Sequence, residues 1–216
     1  MKWLHWLLTL LFPPKCILCE RLLRNEETDL CRSCRTETPE YPFGKRKLQF
    51  LDSFAAVWYY EEYPRLSLLR YKFGGRRHYA QGYGRLLAMK IQKEYPDGFD
   101  CLTWIPVSRI RKFTRGFDQV ELLAQAVGRE LGITPVPMLI KIRHNRRQSS
   151  IAGQAQRRAN VLGAYRIENA LEIQDKRILM LDDILTTGST ASECARMLLT
   201  AGAKEVHCAA MAAPRK

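Results

Sequence analysis

The stretch that most constrains the fold runs from a buried strand into a hydroxyl-rich loop. Residues 178–181 read Ile-Leu-Met-Leu, without polar alternation, which is typical of a strand buried on both faces of a parallel sheet. The next residues read Asp-Asp-Ile-Leu-Thr-Thr-Gly-Ser-Thr, and a helix is predicted from there to about Leu199. Parallel strands need long crossover connections, usually helical, so the chain is expected to adopt an α/β fold.

The loop itself has the composition of a phosphate site. A helix N-terminus that carries a glycine and several hydroxyls offers N–H groups and a favourable dipole to an anion. Carboxylates just upstream suit ribose hydroxyls, or a Mg²⁺ ion reached through water. The alternative, helix capping alone, does not call for paired acids and four hydroxyls around one glycine.

This stretch resembles the binding signature of type I phosphoribosyltransferases, in which two acidic residues precede a Thr-Thr-Gly loop. The resemblance implies a ligand such as phosphoribosyl pyrophosphate (PRPP), accompanied by Mg²⁺. The residues expected to bind it are Asp182, Asp183, Thr186, Thr187, Gly188, Ser189 and Thr190.

Four cysteines near the N-terminus have the spacing of a structural zinc site. Cys16 and Cys19 form one Cys-x2-Cys knuckle, and Cys31 and Cys34 form the other. The loop between them is polar and too short to bury a core, so the metal is expected to supply folding energy. The alternative of two disulfides conflicts with a phosphorylated sugar ligand, which implies the reducing cytosol.

Strands and helices alternate along the rest of the chain, which predicts a parallel, doubly wound sheet. Residues 1–50 are expected to form an N-terminal helix and a four-cysteine zinc module, and residues 51–216 a phosphoribosyltransferase-like domain with a separate core. Segments 135–142 and 161–167 are among the predicted strands. Ligands of such sheets bind beyond the carboxyl ends of the strands.

The net charge of +13 is unevenly placed. Residues 63–93 hold eight Lys or Arg and residues 131–167 hold seven, and neither segment contains an acid. A polyanionic partner is the natural inference, because a merely solvated basic face would normally include acids. The expected phosphate or pyrophosphate contacts are Lys72, Ser108, Arg109, Arg115 and Arg146. For Lys72, the alternative is a helix-end lysine that complements the helix dipole.

Residues 143–158 form a long basic loop that has the composition of a lid over such a ligand, the alternative being a solvated segment without that role. Three of its arginines are expected to contact nucleic acid, together with the basic residues 45–47. Trp3, Trp6, Phe73 and Phe113 are available to stack on unpaired bases. The nucleic-acid contacts assigned to the loop are Arg147, Arg157 and Arg158.

Taken together, these features resemble the ComF family of competence proteins, which place a four-cysteine zinc module ahead of a phosphoribosyltransferase-like domain. One position departs from the family pattern, because Asp118 stands where Asn is usual. The motifs that carry the resemblance cover nearly the whole chain and lie in residues 12–19, 71–74, 105–107, 115–119, 148–161 and 182–190.

The resemblance implies a cytoplasmic bacterial protein that handles incoming single-stranded DNA during transformation, alongside other competence or DNA-processing proteins. Two functions remain open. In one, the protein binds single-stranded DNA and uses its phosphoribosyl pocket only for binding. In the other, it is an active phosphoribosyltransferase that transfers ribose 5-phosphate to a nitrogen nucleophile. No base-specificity element is recognisable, which favours binding, and no catalytic residue is assigned.

The apolar residues 1–12 are too short to span a bilayer and lack a signal-peptide cleavage site. A short helix that docks on the protein is expected. The alternative is peripheral contact with the inner face of the membrane through the two tryptophans.

Overall fold

The computed structural model describes residues 13–143 and 161–215. The six strands of this part are β1 (Ser53–Tyr59), β2 (Cys101–Trp104), β3 (Leu139–Lys141), β4 (Tyr165–Ile167), β5 (Arg177–Ile184) and β6 (Glu205–Ala213). The helices are α1 (Arg32–Glu37), α2 (Glu62–Phe73), α3 (Tyr79–Glu94), α4 (Arg109–Arg115), α5 (Gln119–Leu131) and α6 (Ser189–Thr200). A short 3₁₀ turn, Ala170–Glu172, precedes β5.

Four of the strands form one sheet in the order β1–β6–β5–β2, and all three pairings are parallel. Alternate residues of β5 enter two different cores, as the two-residue period of a strand requires. Leu179 and Leu181 pack in the core that includes α2, α3 and α5. Ile178 and Met180 pack in the core that includes α6. Helices therefore cover both faces, and the predicted α/β fold with a doubly wound parallel sheet is confirmed.

The predicted strands at residues 135–142 and 161–167 are shorter than expected and do not join this sheet. They contain β3 and β4, which pair with each other in antiparallel register, Leu139 opposite Ile167. Residue 135 makes only an isolated bridge to Leu102, and the N–H of Val136 donates to the Leu102 carbonyl at 2.8 Å. Because the N–H of Val136 points to β2, positions 135 and 137 direct their backbone nitrogens to the outer side, where prolines offer no donor to a further strand.

The zinc module packs directly on α2 and α3. Its residues Ile17, Leu18 and Leu30 are buried in the same core as Leu68 and Tyr83. The expectation of a separate core is therefore wrong: knuckles too small to bury their own apolar side chains share the core of the larger domain.

The helices of the described segments are all too short or too polar to cross a membrane.

Candidate functional site

The carboxyl ends of the parallel strands bring two of the predicted loops to one edge of the sheet. Trp104 at the end of β2 pairs with Leu181 on β5, and the N–H of Ile105 donates to the Leu181 carbonyl at 2.9 Å. The loop after β2 and the loop after β5 are therefore neighbours. On the other side, the N–H of Leu185 donates to the Ala212 carbonyl of β6 at 3.0 Å.

The loop between β5 and α6, residues 185–189, turns sharply at a glycine. Gly188 has a φ of +80°, in the left-handed region that glycine adopts without strain. The hydroxyls of Thr187 and Ser189 lie 3.0 Å apart, and the N–H of Ser189 reaches Thr187 Oγ1 at 3.4 Å. Within the described residues, the N–H groups of Thr187 and Gly188 have no hydrogen-bond partner. The loop thus offers donors and hydroxyls at a helix N-terminus, which is an arrangement that binds phosphate.

The two predicted carboxylates turn to opposite faces of the sheet, because they are consecutive residues of one strand. β5 extends to Ile184, so both lie within the strand rather than beyond it. Asp183 is buried on the α2–α5 side, where Lys72 Nζ lies 2.9 Å from Oδ1 and Gln119 Nε2 donates to Oδ2 at 3.1 Å. Asp182 Oδ1 accepts from the N–H of Asp183 at 2.8 Å.

The pKa values of nearby side chains also show that the two carboxylates lie on opposite faces of the sheet. On the α2–α5 side, burial raises the pKa of Tyr71, and the negative charge of Asp183 raises it further. The charge of Asp182 instead helps burial to raise the pKa of Cys208, on the α6 side. Burial, followed by the nearby charge of Asp183, raises the pKa of Asp182 itself well above its ordinary value. Its carboxyl group therefore resists ionisation until a donor or cation approaches.

Lys72 is neither exposed nor a simple dipole-complementing lysine. Its side chain is 17% exposed and forms the ion pair with Asp183. A role of Lys72 in pyrophosphate binding stays a prediction.

The loop after β2 is fixed by Asp118, which caps α5. Asp118 Oδ1 accepts from the N–H groups of Val120 and Glu121, at 2.9 and 3.2 Å. Its Oδ2 accepts from the N–H of Val107 at 3.1 Å. Both oxygens thus act as acceptors, and the side chain is buried. The resemblance identified this position only as a departure from Asn.

Two predicted phosphate contacts lie on this loop or directly after it. Ser108 is buried, and Arg109 begins α4 with an exposed side chain. Arg115 ends α4, and its side chain lies outside the described part.

The basic residues 45–47, predicted to contact nucleic acid, include two that are bonded within the protein. Lys45 Nζ donates to Tyr59 Oη at 3.0 Å and lies 4.6 Å from the centre of that ring. The guanidinium of Arg46 donates to the carbonyls of Thr186 and Thr187, at 2.6 and 2.5 Å. No local pattern could show this contact, because the partners are 140 and 141 residues apart.

The basic segment 63–93 is largely neutralised. Six of its eight Lys and Arg side chains form ion pairs with described carboxylates, at distances between 2.5 and 3.8 Å. A seventh, Arg77, stacks on Phe117, with its guanidinium carbon 4.6 Å from the ring centre. The paired residues are Arg70, Lys72, Arg76, Arg85, Lys90 and Lys93.

Acids of residues 1–50 pair with five of these six side chains, and Glu40 accounts for two of the five, Lys90 and Lys93. Asp29 receives a two-pronged contact from Arg85, and Glu20 lies 3.7 Å from Arg70 and 3.5 Å from Arg76. At Gly82 on α3, an added Cβ would lie 2.7 Å from Asp29 Oδ1, so a larger residue there would displace this carboxylate. The acid-free segment is therefore in large part the surface on which the zinc module docks.

The four predicted zinc ligands come together. The sulfurs of Cys16, Cys19, Cys31 and Cys34 all lie within 4.8 Å of one another, and those of Cys19 and Cys31 are 3.7 Å apart. Zinc–sulfur bonds of about 2.3 Å in a tetrahedron require sulfur separations of about 3.8 Å. Burial raises the pKa of Cys34, which opposes thiolate formation unless a cation compensates. The cluster therefore has the geometry and donor set of a structural zinc site.

An exposed apolar pair stands out on α4. Phe113 is 91% exposed and Ile110, three residues earlier, is 57% exposed. Lys112 lies between them and pairs with Glu121 at 2.8 Å. The aromatic ring of Phe113 is therefore presented to solvent beside basic residues.

Several predicted residues lie outside the described part of the chain. They comprise the N-terminal helix with Trp3 and Trp6, and, in the basic loop, Arg146, Arg147, Arg157 and Arg158.

Comparison with known families finds two matches. The family described as "Phosphoribosyl transferase domain" matches residues 121–216. The family described as "Double zinc ribbon domain" matches residues 7–45.

Whole-length relatives are found among curated bacterial proteins. Competence protein F of Haemophilus influenzae is 24% identical, over 89% of this chain and 94% of the relative. DNA utilization protein YhgH of Escherichia coli O157:H7 is 31% identical, over 89% and 87%. Competence protein ComFC of Streptococcus pneumoniae is 29% identical, over 89% and 96%.

Among solved structures, a match is found to the allosteric regulatory enzyme of purine biosynthesis. It has a TM-score of 0.44 and 25% identity, and covers 66% of this chain but only 30% of that one.

Proposed function

Because this chain belongs to the ComF family of competence and DNA-utilization proteins, we propose that it binds PRPP and incoming single-stranded DNA during DNA uptake. The protein would meet both ligands in the cytoplasm, where phosphorylated sugars are found. Its protein partners would be other competence proteins.

The observation that carries the PRPP proposal is the loop between β5 and α6. The N–H groups of Thr187 and Gly188, which have no partner among the described residues, suit the 5-phosphate together with the surrounding hydroxyls and the start of α6. Asp182 at the same sheet edge suits a ribose hydroxyl, because a carboxyl group can accept a hydrogen bond from it.

The other groups of PRPP would meet the loop after β2. Arg109 is exposed there, and Arg forks bind pyrophosphate oxygens in pairs. Mg²⁺ would be held by the ligand's own oxygens, with one carboxylate of the pair reaching it through water, and would neutralise part of the pyrophosphate charge. Asp183 already has Lys72 as a partner, so Asp182 is the carboxylate better placed for this task.

Binding of single-stranded DNA is supported by α4 and by the sequence of the basic loop. Phe113 offers a solvent-facing ring for base stacking, and Arg109 and Lys112 flank it. Residues 143–158 add five arginines and no acid. Segment 63–93 contributes less than its composition indicates, because most of its charge is paired internally.

The test is calorimetric titration of the protein with PRPP, with and without Mg²⁺, alongside titration with single-stranded and duplex oligonucleotides. We expect wild-type protein to bind PRPP saturably, and Asp182→Ala to bind it at least about tenfold more weakly. Unchanged affinity in that variant would mean that the pocket is misassigned.

The competing function, an active phosphoribosyltransferase, is tested in the same samples. Incubation with PRPP, Mg²⁺ and a panel of bases should release no pyrophosphate above the background hydrolysis. Base-dependent release would establish transfer, and equal affinity for single-stranded and duplex DNA would count against the nucleic-acid part.

A further inference from the structure

Arg46 contacts the loop between β5 and α6 through the backbone of that loop. Its two terminal nitrogens each donate to a carbonyl, one of Thr186 and one of Thr187. Two residues later, the side chain of Leu48 lies so close to Gly188 that an added Cβ would be 2.5 Å from Leu48 Cδ2. Arg46 and Leu48 thus contact three consecutive residues of the proposed phosphate loop.

The segment that carries these side chains is anchored at both ends. The N–H of Tyr41 donates to the Val57 carbonyl at 3.0 Å, and the N–H of Asp52 donates to the Val206 carbonyl at 3.0 Å. Lys45 is bonded to Tyr59 between these anchors. We call residues 41–52 the strap, since they run from the zinc module past the phosphate loop to β1.

The carbonyl directions explain why this contact matters for an anion. In a trans peptide, the C=O of one residue and the N–H of the next point in opposite directions. Fixing the carbonyls of Thr186 and Thr187 toward Arg46 therefore directs the N–H groups of Thr187 and Gly188 away from it. These are the two loop donors without a described partner, and successive N–H groups aimed to one side form an anion-binding nest.

Arg46 also satisfies two carbonyl oxygens that would otherwise be available to turn toward the ligand. A carbonyl facing a phosphate would repel it, so a loop without this restraint would bind anions less well. The contact acts on the loop backbone, and both terminal nitrogens of the guanidinium are already engaged.

We propose that Arg46 is a positioning residue, which orients the backbone N–H groups of Thr187 and Gly188 toward the ligand phosphate. The inference rests on the proposed function of this loop as the 5-phosphate site. It also links the strap, and through it the zinc module, to the affinity of that site.

The test compares Arg46→Ala with Lys204→Ala, which removes the same charge from an exposed residue at the amino end of β6, away from the loop. Binding of ribose 5-phosphate is measured by calorimetry. Hydrogen exchange is measured by mass spectrometry over residues 185–193, where the bonded N–H groups of Leu185 and Ser192 report opening of the loop. Loss of two charge-assisted hydrogen bonds should weaken binding by about tenfold or more in Arg46→Ala, and by less than about twofold in Lys204→Ala. Exchange of the loop should rise in Arg46→Ala alone, with Tm nearly unchanged.

Arg46→Lys gives a further check, because one ammonium can hold one of the two carbonyls and should restore part of the affinity. Equal affinity of Arg46→Ala and wild type would overturn the inference. So would a loss of affinity without faster loop exchange, which would make Arg46 a direct ligand contact.

Failure of the proposed function would look different. Wild-type protein would then not bind ribose 5-phosphate at all, whereas loop exchange in Arg46→Ala would still rise in the absence of ligand. Unchanged loop exchange in that case would overturn the positioning role as well.

Discussion

Lys72 Nζ lies 2.9 Å from Asp183 Oδ1, so the last turn of α2 is bonded to the end of β5. Both side chains are largely buried, at 17% and 5% exposure. One of the two acids of the signature is therefore neutralised by the protein itself, and this ion pair separates the roles of Asp182 and Asp183.

Removing one partner of this pair should destabilise the fold. In Asp183→Ala, the Lys72 ammonium is left without its partner in a poorly hydrated site, which should lower the free energy of unfolding by about 3–5 kcal/mol. Replacing both Asp182 and Asp183 by Ala should also lower the free energy of unfolding, because Lys72 loses its partner in that variant too. A double-mutant cycle with Lys72→Ala, followed by urea denaturation, should give a coupling energy of about 1–2 kcal/mol.

The matched control for this cycle is the exposed pair Lys112–Glu121, whose atoms are 2.8 Å apart. Its coupling energy should be below about 1 kcal/mol because solvent screens it. Equal coupling in the two cycles would mean that burial of the Lys72 pair has no energetic consequence.

The raised pKa of Asp182 predicts a pH dependence of stability. The folded protein then binds a proton that the unfolded chain has released, so stability falls as the pH rises from about 4, near the unfolded pKa, to the folded pKa. Asp182→Asn cannot ionise, should lose this decline, and should be more stable than wild type at neutral pH. The Tm of wild type and Asp182→Asn, measured between about pH 4 and pH 8, tests this prediction. If the Tm of both proteins changes with pH in the same way, Asp182 is not the group responsible.

Asp118→Asn should destabilise the protein, although Asn is the residue that the family resemblance implies at this position. An amide has one acceptor oxygen, so the Asn NH₂ group would face either the N–H of Val120 in the α5 cap or the N–H of Val107, and that N–H would lose its acceptor. The cost should be about 1–2 kcal/mol by urea denaturation. Asp175→Asn is the control, because this exposed residue has a φ of +56°, which Asn tolerates well. A destabilisation no larger than in the control would mean that the two-sided acceptor role is unimportant.

Replacing any one of Cys16, Cys19, Cys31 or Cys34 by Ser should release zinc and unfold the module. Because the module shares its core with α2 and α3, the Tm of the whole protein should also fall. Cys101→Ser, which removes a thiol outside the cluster, should retain one zinc. Metal analysis decides the point, and less than about half an equivalent of zinc in wild-type protein would contradict the assignment.

Two kinds of change should separate the contributions to DNA binding. Phe113→Ala should weaken binding of single-stranded DNA about tenfold and leave the salt dependence unchanged, because stacking releases no counterions. Leu171→Ala, at a residue that is 97% exposed, should have no effect on DNA binding.

Replacing Arg146, Arg147, Arg157 and Arg158 together by Ala should make the slope of log affinity against log salt concentration less steep, by about 0.7 for each phosphate that is no longer neutralised. Fluorescence anisotropy across a salt series tests both; a salt-independent wild-type affinity would contradict the proposal.

The sequence was most informative where a local pattern has one physical meaning. The buried run at residues 178–181 predicted a strand with two covered faces, and the cysteine spacing predicted the clustered thiols. Both depend on neighbours within a few residues. The limits of β5 were less accurate, because side-chain chemistry at Asp182 and Asp183 does not reveal that the ladder to β6 continues beside them.

Features that depend on distant contacts were not predictable in this way. The composition of segment 63–93 indicates a basic surface, but Glu20 and Asp29, which neutralise it, lie far upstream. The contact of Arg46 with Thr186 and Thr187 has no local signal either. The two prolines at 135 and 137 did carry a signal, since residues without an N–H argue against a central strand.

The strand order has a consequence for how the chain assembles. Within the described residues, β1 gains its strand partner from β6, and the paired Ser53 and His207 are 154 residues apart. During synthesis the zinc module can meet α2 and α3 soon after they emerge, but β1 must wait until β6 has left the ribosome. Until then the side of β1 that faces β6 stays unpaired, and an unpaired strand edge is a template for pairing with another chain.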